Sequence, residues 1–293
     1  MKIQNIGLMS PGDMGQAIAQ QLKQKGYNVC TALDQRSART KALAQQAGLT
    51  DVGSVAKLTE QCELILSVMN PGAALEFAGE VAQALNVNRR KLLFTDCNAI
   101  APVTMHEINK KIAAAGGRCI DAGIIGPPPR GSAKMQFYVS GPEALELEQL
   151  ATPQIIVHVL SERVGDASAI KMCYAAMNKG MIALVVELLV AARRLGVDEA
   201  LEARFMKTHA AIFEQVIAGL PPTPPKAHRW VPEMLEIAQT FESVGLTPRM
   251  FEGAAAMYEF MAATKIGKET PENRDKSRNG KDVVRLLADE RGV

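Results

Sequence analysis

From residue 3 to about residue 160, short apolar runs alternate with amphipathic helical patterns, and after Leu160 the strand signal stops. A periodicity that switches in this way admits few architectures: each helix must return along one face of a sheet, so the strands run parallel and helices cover both faces. The strand candidates are KIQNIGLM, YNVCTAL, ELILSVM, KLLFTDCN, GRCIDAGI, MQFYVSG and QIIVHVL. Between them QAIAQQLKQKG repeats its apolar positions at helical spacing and ends in Gly26, while APVTMHEINKKIAAAGG carries Pro102 near its start and glycines at its end. These are crossover helices with ordinary start and stop signals. The expected fold is α/β plus all-α: a doubly wound parallel sheet over 1–162, then a long helix and a helical domain over 163–293.

Residues 166–196 carry an almost unbroken helical pattern, apolar on most sides and far longer than the ~11–12 residues of an average helix. Such a helix is buried against other helices or a second copy of the chain, which predicts a homodimer. Segments 231–244, 249–264 and 280–289 read as shorter helices. LPPTPPKAHRW, 220–230, reads as a linker or surface loop, because successive prolines remove donors and fix extended geometry.

Charge and composition narrow the function. A net charge of +2, from 33 basic and 31 acidic residues, lacks the positive excess of a nucleic-acid binder. A small-molecule substrate fits better. Cys30, Cys62, Cys97, Cys119 and Cys173 form no C-x-x-C pair and read as reduced packing thiols of a cytoplasmic protein. No secretory leader is expected from the strand-like KIQNIGLM, and the longest apolar stretch, GMIALVVELLVAARRLGV, is interrupted by Glu187 and closes in Arg193-Arg194, so no membrane span is expected either. His106, His158, His209 and His228 show no metal-ligand spacing, and no metal is predicted. His228-Arg229-Trp230 is the one cluster able to reach a ligand, although a surface loop is the preferred reading.

The first strand leads into Ser10-Pro11-Gly12-Asp13-Met14-Gly15 and an amphipathic helix. In a G-x-G-x-x-G turn the first glycine serves the tight turn, the second lets backbone approach a pyrophosphate, and the third packs helix on strand. Serine replaces the first here, and it is small and tolerant of turns. The turn therefore predicts dinucleotide binding. Asp34 follows at the spacing of an acid that grips the ribose of NAD, whereas Arg36, Ser37, Arg39 and Thr40 suit a 2′-phosphate. NADP is favoured, with NAD the alternative.

The order of IGLMSPGDMG, TDCNAIAP (95–102), DAGIIGPPP (121–129) and GDASAIKMCYAAMNKG (165–180) resembles the β-hydroxyacid dehydrogenases, a family that includes 6-phosphogluconate and 3-hydroxyisobutyrate dehydrogenases. It is most similar to a phosphogluconate-dehydrogenase-like branch whose C-terminal helical domain has no assigned function. The resemblance implies a Rossmann-type domain, a dimerising helical domain and a hydride-transfer site in a cleft between the two. Gly165 and Lys171 keep the spacing of the family's lysine pattern G-x-G-x-x-x-K, which implies that Lys171 is the acid/base; a lysine on an apolar helix is also suited to exchanging a proton near neutral pH. Asn98 resembles the residue the family places beside the nicotinamide ribose, and Met69 and Asn70 fall where it lines the cofactor groove.

Departures from the family concern the substrate. Relatives have D-A-P-V-S-G-G where this chain has Asp121-Ala122-Gly123-Ile124-Ile125-Gly126-Pro127. Ile125 replaces a serine and Pro127 has no N–H, so two donors for a carboxylate are missing. Gly123, Ile124, Ile125 and Gly126, with Tyr174 and Asn178 one helical turn apart on the face of Lys171, are the candidate substrate-pocket residues. The reading is an NAD(P)-dependent oxidoreductase interconverting a secondary alcohol and a ketone. The alternatives are an imine reductase and a catalytically silent NADP-binding regulator.

Overall fold

The computed structural model describes residues 2–290 and divides into two compact units, Met1–Met172 and Cys173–Val293. The first unit runs β1 (Asn5–Met9), α1 (Asp13–Gln24), β2 (Asn28–Thr31), α2 (Ala38–Gln46), β3 (Thr50–Asp51), α3 (Val55–Gln61), β4 (Leu64–Ser67), α4 (Ala74–Asn88), β5 (Leu93–Asp96), α5 (Pro102–Ala114), β6 (Arg118–Ile125), β7 (Met135–Ser140) and β8 (Ile155–Ser161). One eight-stranded sheet results, in the order β3-β2-β1-β4-β5-β6-β7-β8. Every neighbouring pair is parallel except β6 and β7. The chain winds outward from β1 to β3, then returns to place β4 on the other side of β1. That reversal opens a crevice at the C-terminal ends of β1 and β4, where sheets of this kind bind ligands.

Apolar runs become parallel strands here because both faces are covered. Leu64 and Leu66 of β4 enter one core with Ile6, Leu8, Ile18 and Leu22, while Ile65 between them enters the other with Phe77, Val81, Leu85 and Phe94. The two-residue side-chain period thus feeds two separate cores. The sequence predicts seven strands, and the eighth is β3, an edge strand too short to show alternation. Two pairings, Cys30 with Thr50 and Thr31 with Asp51, define it. The Asp51 carboxylate then secures the edge by accepting from the backbone N–H of Leu33 at 3.1 Å and of Gly53 at 2.8 Å.

Helix α6 (Asp166–Arg194) begins in the first unit and ends in the second. The second unit continues with α7 (Asp198–Thr208), α8 (Ala210–Gly219), α9 (Pro224–Ser243), α10 (Arg249–Ala263) and α11 (Gly280–Asp289). The expected loop over 220–230 is corrected: from Pro224 onward it is the first part of α9. Pro224 and Pro225 occupy the opening turn, where the missing N–H groups would have had no intrahelical partner and the fixed φ already suits a helix. His228, Arg229 and Trp230 therefore sit on a helix. Trp230 lies edge-on to Tyr258, with ring centroids 5.2 Å apart.

Candidate functional site: the nucleotide crevice and the β6–α6 joint

The turn between β1 and α1 has the geometry its glycines suggest. A Cβ at Gly15 would lie 2.3 Å from the Ser10 carbonyl oxygen and 2.9 Å from Leu8, so only glycine lets α1 pack this closely on β1. At Gly12 the same atom would meet nothing within 4 Å. Gly12 is also the N-cap of α1 and supplies no capping side chain, leaving the first-turn N–H groups available to an anion. Ser10 is held by its N–H, which donates to the Val68 carbonyl at 2.9 Å. Asp13 is exposed, and the Met14 side chain turns toward the core.

Beside this turn, a cavity of about 530 Å³ opens at the ends of β1, β2 and β4. Met9, Asp34, Arg36, Met69 and Phe77 are among its walls, with Glu76 and Glu80 contributed by α4. The four donors predicted after β2 separate. Arg36 lines the cavity, whereas Ser37 is the N-cap of α2, its hydroxyl accepting from Thr40 N–H at 3.2 Å and meeting the Thr40 hydroxyl at 3.0 Å. Arg39 lies on the exposed first turn of α2, outside the cavity lining. Asn70 does local work as well: its side chain accepts from Gly72 N–H at 3.2 Å and caps a short turn.

Asn98 is 3% exposed and its side chain is fully engaged. Its amide donates to Ser67 Oγ at 2.8 Å and to Asp96 Oδ2 at 2.9 Å, and its carbonyl accepts from Met69 N–H at 2.6 Å. Asn98 thus ties the end of β5 to the end of β4 and orients the peptide of Met69, a cavity wall. It does not cap the following helix, whose N-cap is Ala101. Burial raises the Asp96 carboxyl to about 7, against the hydrogen bonds from Asn98, and the carboxylate of Asp121 adds to the rise.

Asp121, which the sequence reading passes over, fastens α6 to the sheet. Its Oδ2 accepts from the N–H of Gly165 and of Ser168, both at 2.9 Å, and its Oδ1 accepts from Ser168 Oγ at 2.6 Å. Ser140, its partner across β6 and β7, donates to the same carboxylate at 3.0 Å and accepts from Ala167 N–H at 3.0 Å. A carboxylate at a helix N-terminus satisfies orphan donors and complements the helix dipole. Burial nevertheless pushes the Asp121 carboxyl above its ordinary value, opposed by those hydrogen bonds. The signal was present in the sequence as one acidic residue inside an apolar strand, a position that demands partners.

Two residues further along β6, a Cβ on Gly123 would stand 2.6 Å from the Ala167 carbonyl oxygen and 2.9 Å from the Cβ of Lys171. Gly123 is therefore the contact point where the helix bearing Lys171 meets the strand. Ile124 points the opposite way, into the core with Met135 and Phe137. Ile125 shares the side of Gly123 and is 8% exposed. Gly126 is exposed, with φ at +112° and a carbonyl of Lys134 3.0 Å from where a Cβ would sit. On α6 itself, Tyr174 is half exposed and Asn178 donates to the Tyr174 carbonyl at 2.9 Å.

Residues 2–152 match the family described as the NAD binding domain of 6-phosphogluconate dehydrogenase. The chain belongs to the 6-phosphogluconate dehydrogenase-like family. Residues 192–261 match a second family, a domain of unknown function (DUF1932). Among curated relatives, L-threonate dehydrogenase of Cupriavidus necator is 28% identical over 200 residues, 66% of either chain. The mitochondrial 3-hydroxyisobutyrate dehydrogenase of Drosophila melanogaster is 25% identical over 206 residues, 68% of this chain and 60% of that one. The crystal structure of a conserved hypothetical protein from Sinorhizobium meliloti 1021 matches across 98% of this chain and 96% of its own, with 25% identity and a TM-score of 0.66.

For this 6-phosphogluconate dehydrogenase-like chain, the joint between β6 and α6 makes a direct prediction. Gly123→Ala puts a methyl into backbone atoms of α6 and is expected to destabilise the protein by about 1–3 kcal/mol. Denaturant unfolding would show the midpoint fall further than for Gly12→Ala, which meets no atom within 4 Å and loses only the preference of an N-cap for glycine over alanine.

Proposed function

We propose that the protein is an NAD(P)-dependent oxidoreductase that interconverts a secondary alcohol and a ketone, with Lys171 as the acid/base and NADP as the preferred cofactor. The observation that carries this reading is the Gly123–Lys171 contact. It holds the amine-bearing segment of α6 against β6, in the same sheet whose β1–β4 crevice fits a dinucleotide. That fit rests on the open face at Gly12, the uncapped start of α1 and the cavity at the strand ends.

A bound nicotinamide supplies the hydride donor or acceptor. Lys171 Nζ takes the hydroxyl proton in the oxidative direction and returns it in the reductive one, the role of a positioned general acid/base. Asp121 and Gly123 fix the helix on which that amine stands. Asn98 joins the ends of β4 and β5 and orients Met69, which walls the crevice. Ile125 has no side-chain donor and Pro127 no backbone N–H, which favours a ligand less dependent on a carboxylate grip than hydroxyacids are.

Arg36 and the N-terminus of α2 would receive a 2′-phosphate, while Asp34 would serve a free ribose diol. Arg36→Ala is expected to raise the dissociation constant of NADPH about tenfold, the loss of roughly one charge-assisted contact, and to leave NADH within about twofold. Fluorescence titration with both nucleotides measures the difference; an equal effect on both removes the assignment to the phosphate. The reaction itself is tested by following NADPH absorbance with aldehydes, ketoacids and aryl ketones. Turnover of none of them, with tight NADPH binding, would leave the protein a nucleotide binder without this chemistry.

A further inference from the structure

Arg130 comes from the loop between β6 and β7, more than a hundred residues along the chain from the turn that opens α1, yet its guanidinium closes on that turn. One amino group lies 2.9 Å from Asp13 Oδ1 and the other donates to the Asp13 carbonyl at 2.9 Å. Both side chains are about half exposed, 45% for Arg130 and 53% for Asp13, and an ion pair so open to water contributes little to folding. Its importance lies in where it sits.

Asp13 is the first residue of α1, beside the open face of Gly12 and the uncapped N–H groups. A carboxylate is comfortable at a helix N-terminus when nothing else is there. A pyrophosphate delivered to the same terminus meets a like charge, and the repulsion disfavours the ligand. Among the described residues, the Arg130 guanidinium pairs with Asp13 and offsets its charge. Its loop opens with Gly126 and Pro127, and Pro127 is one of the positions at which this chain departs from the carboxylate-gripping pattern of the family it resembles.

Resting on the dinucleotide-binding reading above, we infer that Arg130 is a positioning residue that sets nucleotide affinity by neutralising Asp13 at the pyrophosphate turn. Arg130 acts through Asp13, and its effect therefore depends on the carboxylate being present. The charge matters more than the fork, so a lysine in its place retains most of the affinity.

The test is a double-mutant cycle read by NADPH titration at low and high salt, with thermal melts confirming that each variant folds. Arg130→Met is expected to raise the dissociation constant about tenfold at low salt and less at high salt, as expected for one unit charge near a screened surface. Asp13→Asn alone is expected to leave binding equal or tighter. In the Asp13→Asn background, Arg130→Met should change affinity less than about twofold, and Arg130→Lys should restore most of the loss in the parent. An Arg130→Met effect of equal size in both backgrounds would overturn the inference, because Arg130 would then act on the nucleotide independently of Asp13. No effect in either background overturns it as well. Absence of NADPH and NADH binding by the unmodified protein is a different result, which removes the dinucleotide reading itself.

Discussion

Lys171→Ala is expected to lower kcat by about 10²- to 10⁴-fold on whichever carbonyl compound the protein reduces, the usual range for losing a positioned general acid. NADPH affinity should stay within about twofold, because the nucleotide contacts proposed above come from the β1–α1 turn and the end of β2. The decisive companion is Lys171→Arg. Arginine keeps the positive charge and much of the length, but its guanidinium does not shed a proton under working conditions. A proton-transfer role therefore predicts that Arg fails to rescue, while a purely electrostatic role predicts that it does. The pH profile adds a third measurement: a limb present in the parent enzyme and missing from residual Lys171→Ala activity identifies the amine as the titrating group. Equal rates in parent and Lys171→Ala would remove Lys171 from the mechanism and leave the β6–α6 joint as packing alone.

How much of this was legible before any coordinates depends on how far apart in sequence the interacting groups lie. The sheet was readable because parallel strands covered on both faces carry dense apolar runs, and β4 and β5 are buried at every position. The turn at Ser10–Gly15 was readable because glycine function there is local: a close approach at Gly15 and open space at Gly12. By contrast β3 has two residues and no period to detect. In 220–230 the prolines read as breakers from sequence alone, yet two prolines in a first turn start a helix. Long-range polar partnerships left the least trace. Asp121 needs Gly165 and Ser168, 44 and 47 residues later, and Arg130 needs Asp13, 117 residues earlier. A single sequence shows the residues of such pairs but not the pairing. Ser37 and Thr40 show the same limit, since their hydroxyls read as ligand donors in the sequence while the cap they form at the start of α2 leaves no separate trace.

In the second unit the largest stability effect is expected from Lys179→Met. Lys179 on α6 forms an ion pair with Glu233 on α9, with only 16% and 8% of the side chains exposed, and its ammonium lies 5.1 Å from the centre of the Trp230 ring. Tyr258 of α10 closes the cluster by donating its hydroxyl to the Lys179 carbonyl at 2.7 Å. Removing the cation leaves a carboxylate whose other oxygen, Oε1, is already buried without a hydrogen-bond partner among the described residues. Two effects then compete: methionine gains apolar packing against Trp230, and Glu233 is left charged and unpaired. The second wins, since stranding one member of a buried pair costs about 3–5 kcal/mol while a volume-conserving apolar contact returns about 1. Chemical denaturation should therefore show a lower midpoint for Lys179→Met. Adding Glu233→Met in the same chain should recover most of the loss, because the stranded charge goes with it. The exposed pair Arg193–Asp198 is the control, with 39% and 32% of the side chains accessible, and Arg193→Ala should shift stability by less than about 1 kcal/mol. If the double substitution were no more stable than Lys179→Met, the cation–ring contact and not the buried carboxylate would be what Lys179 supplies.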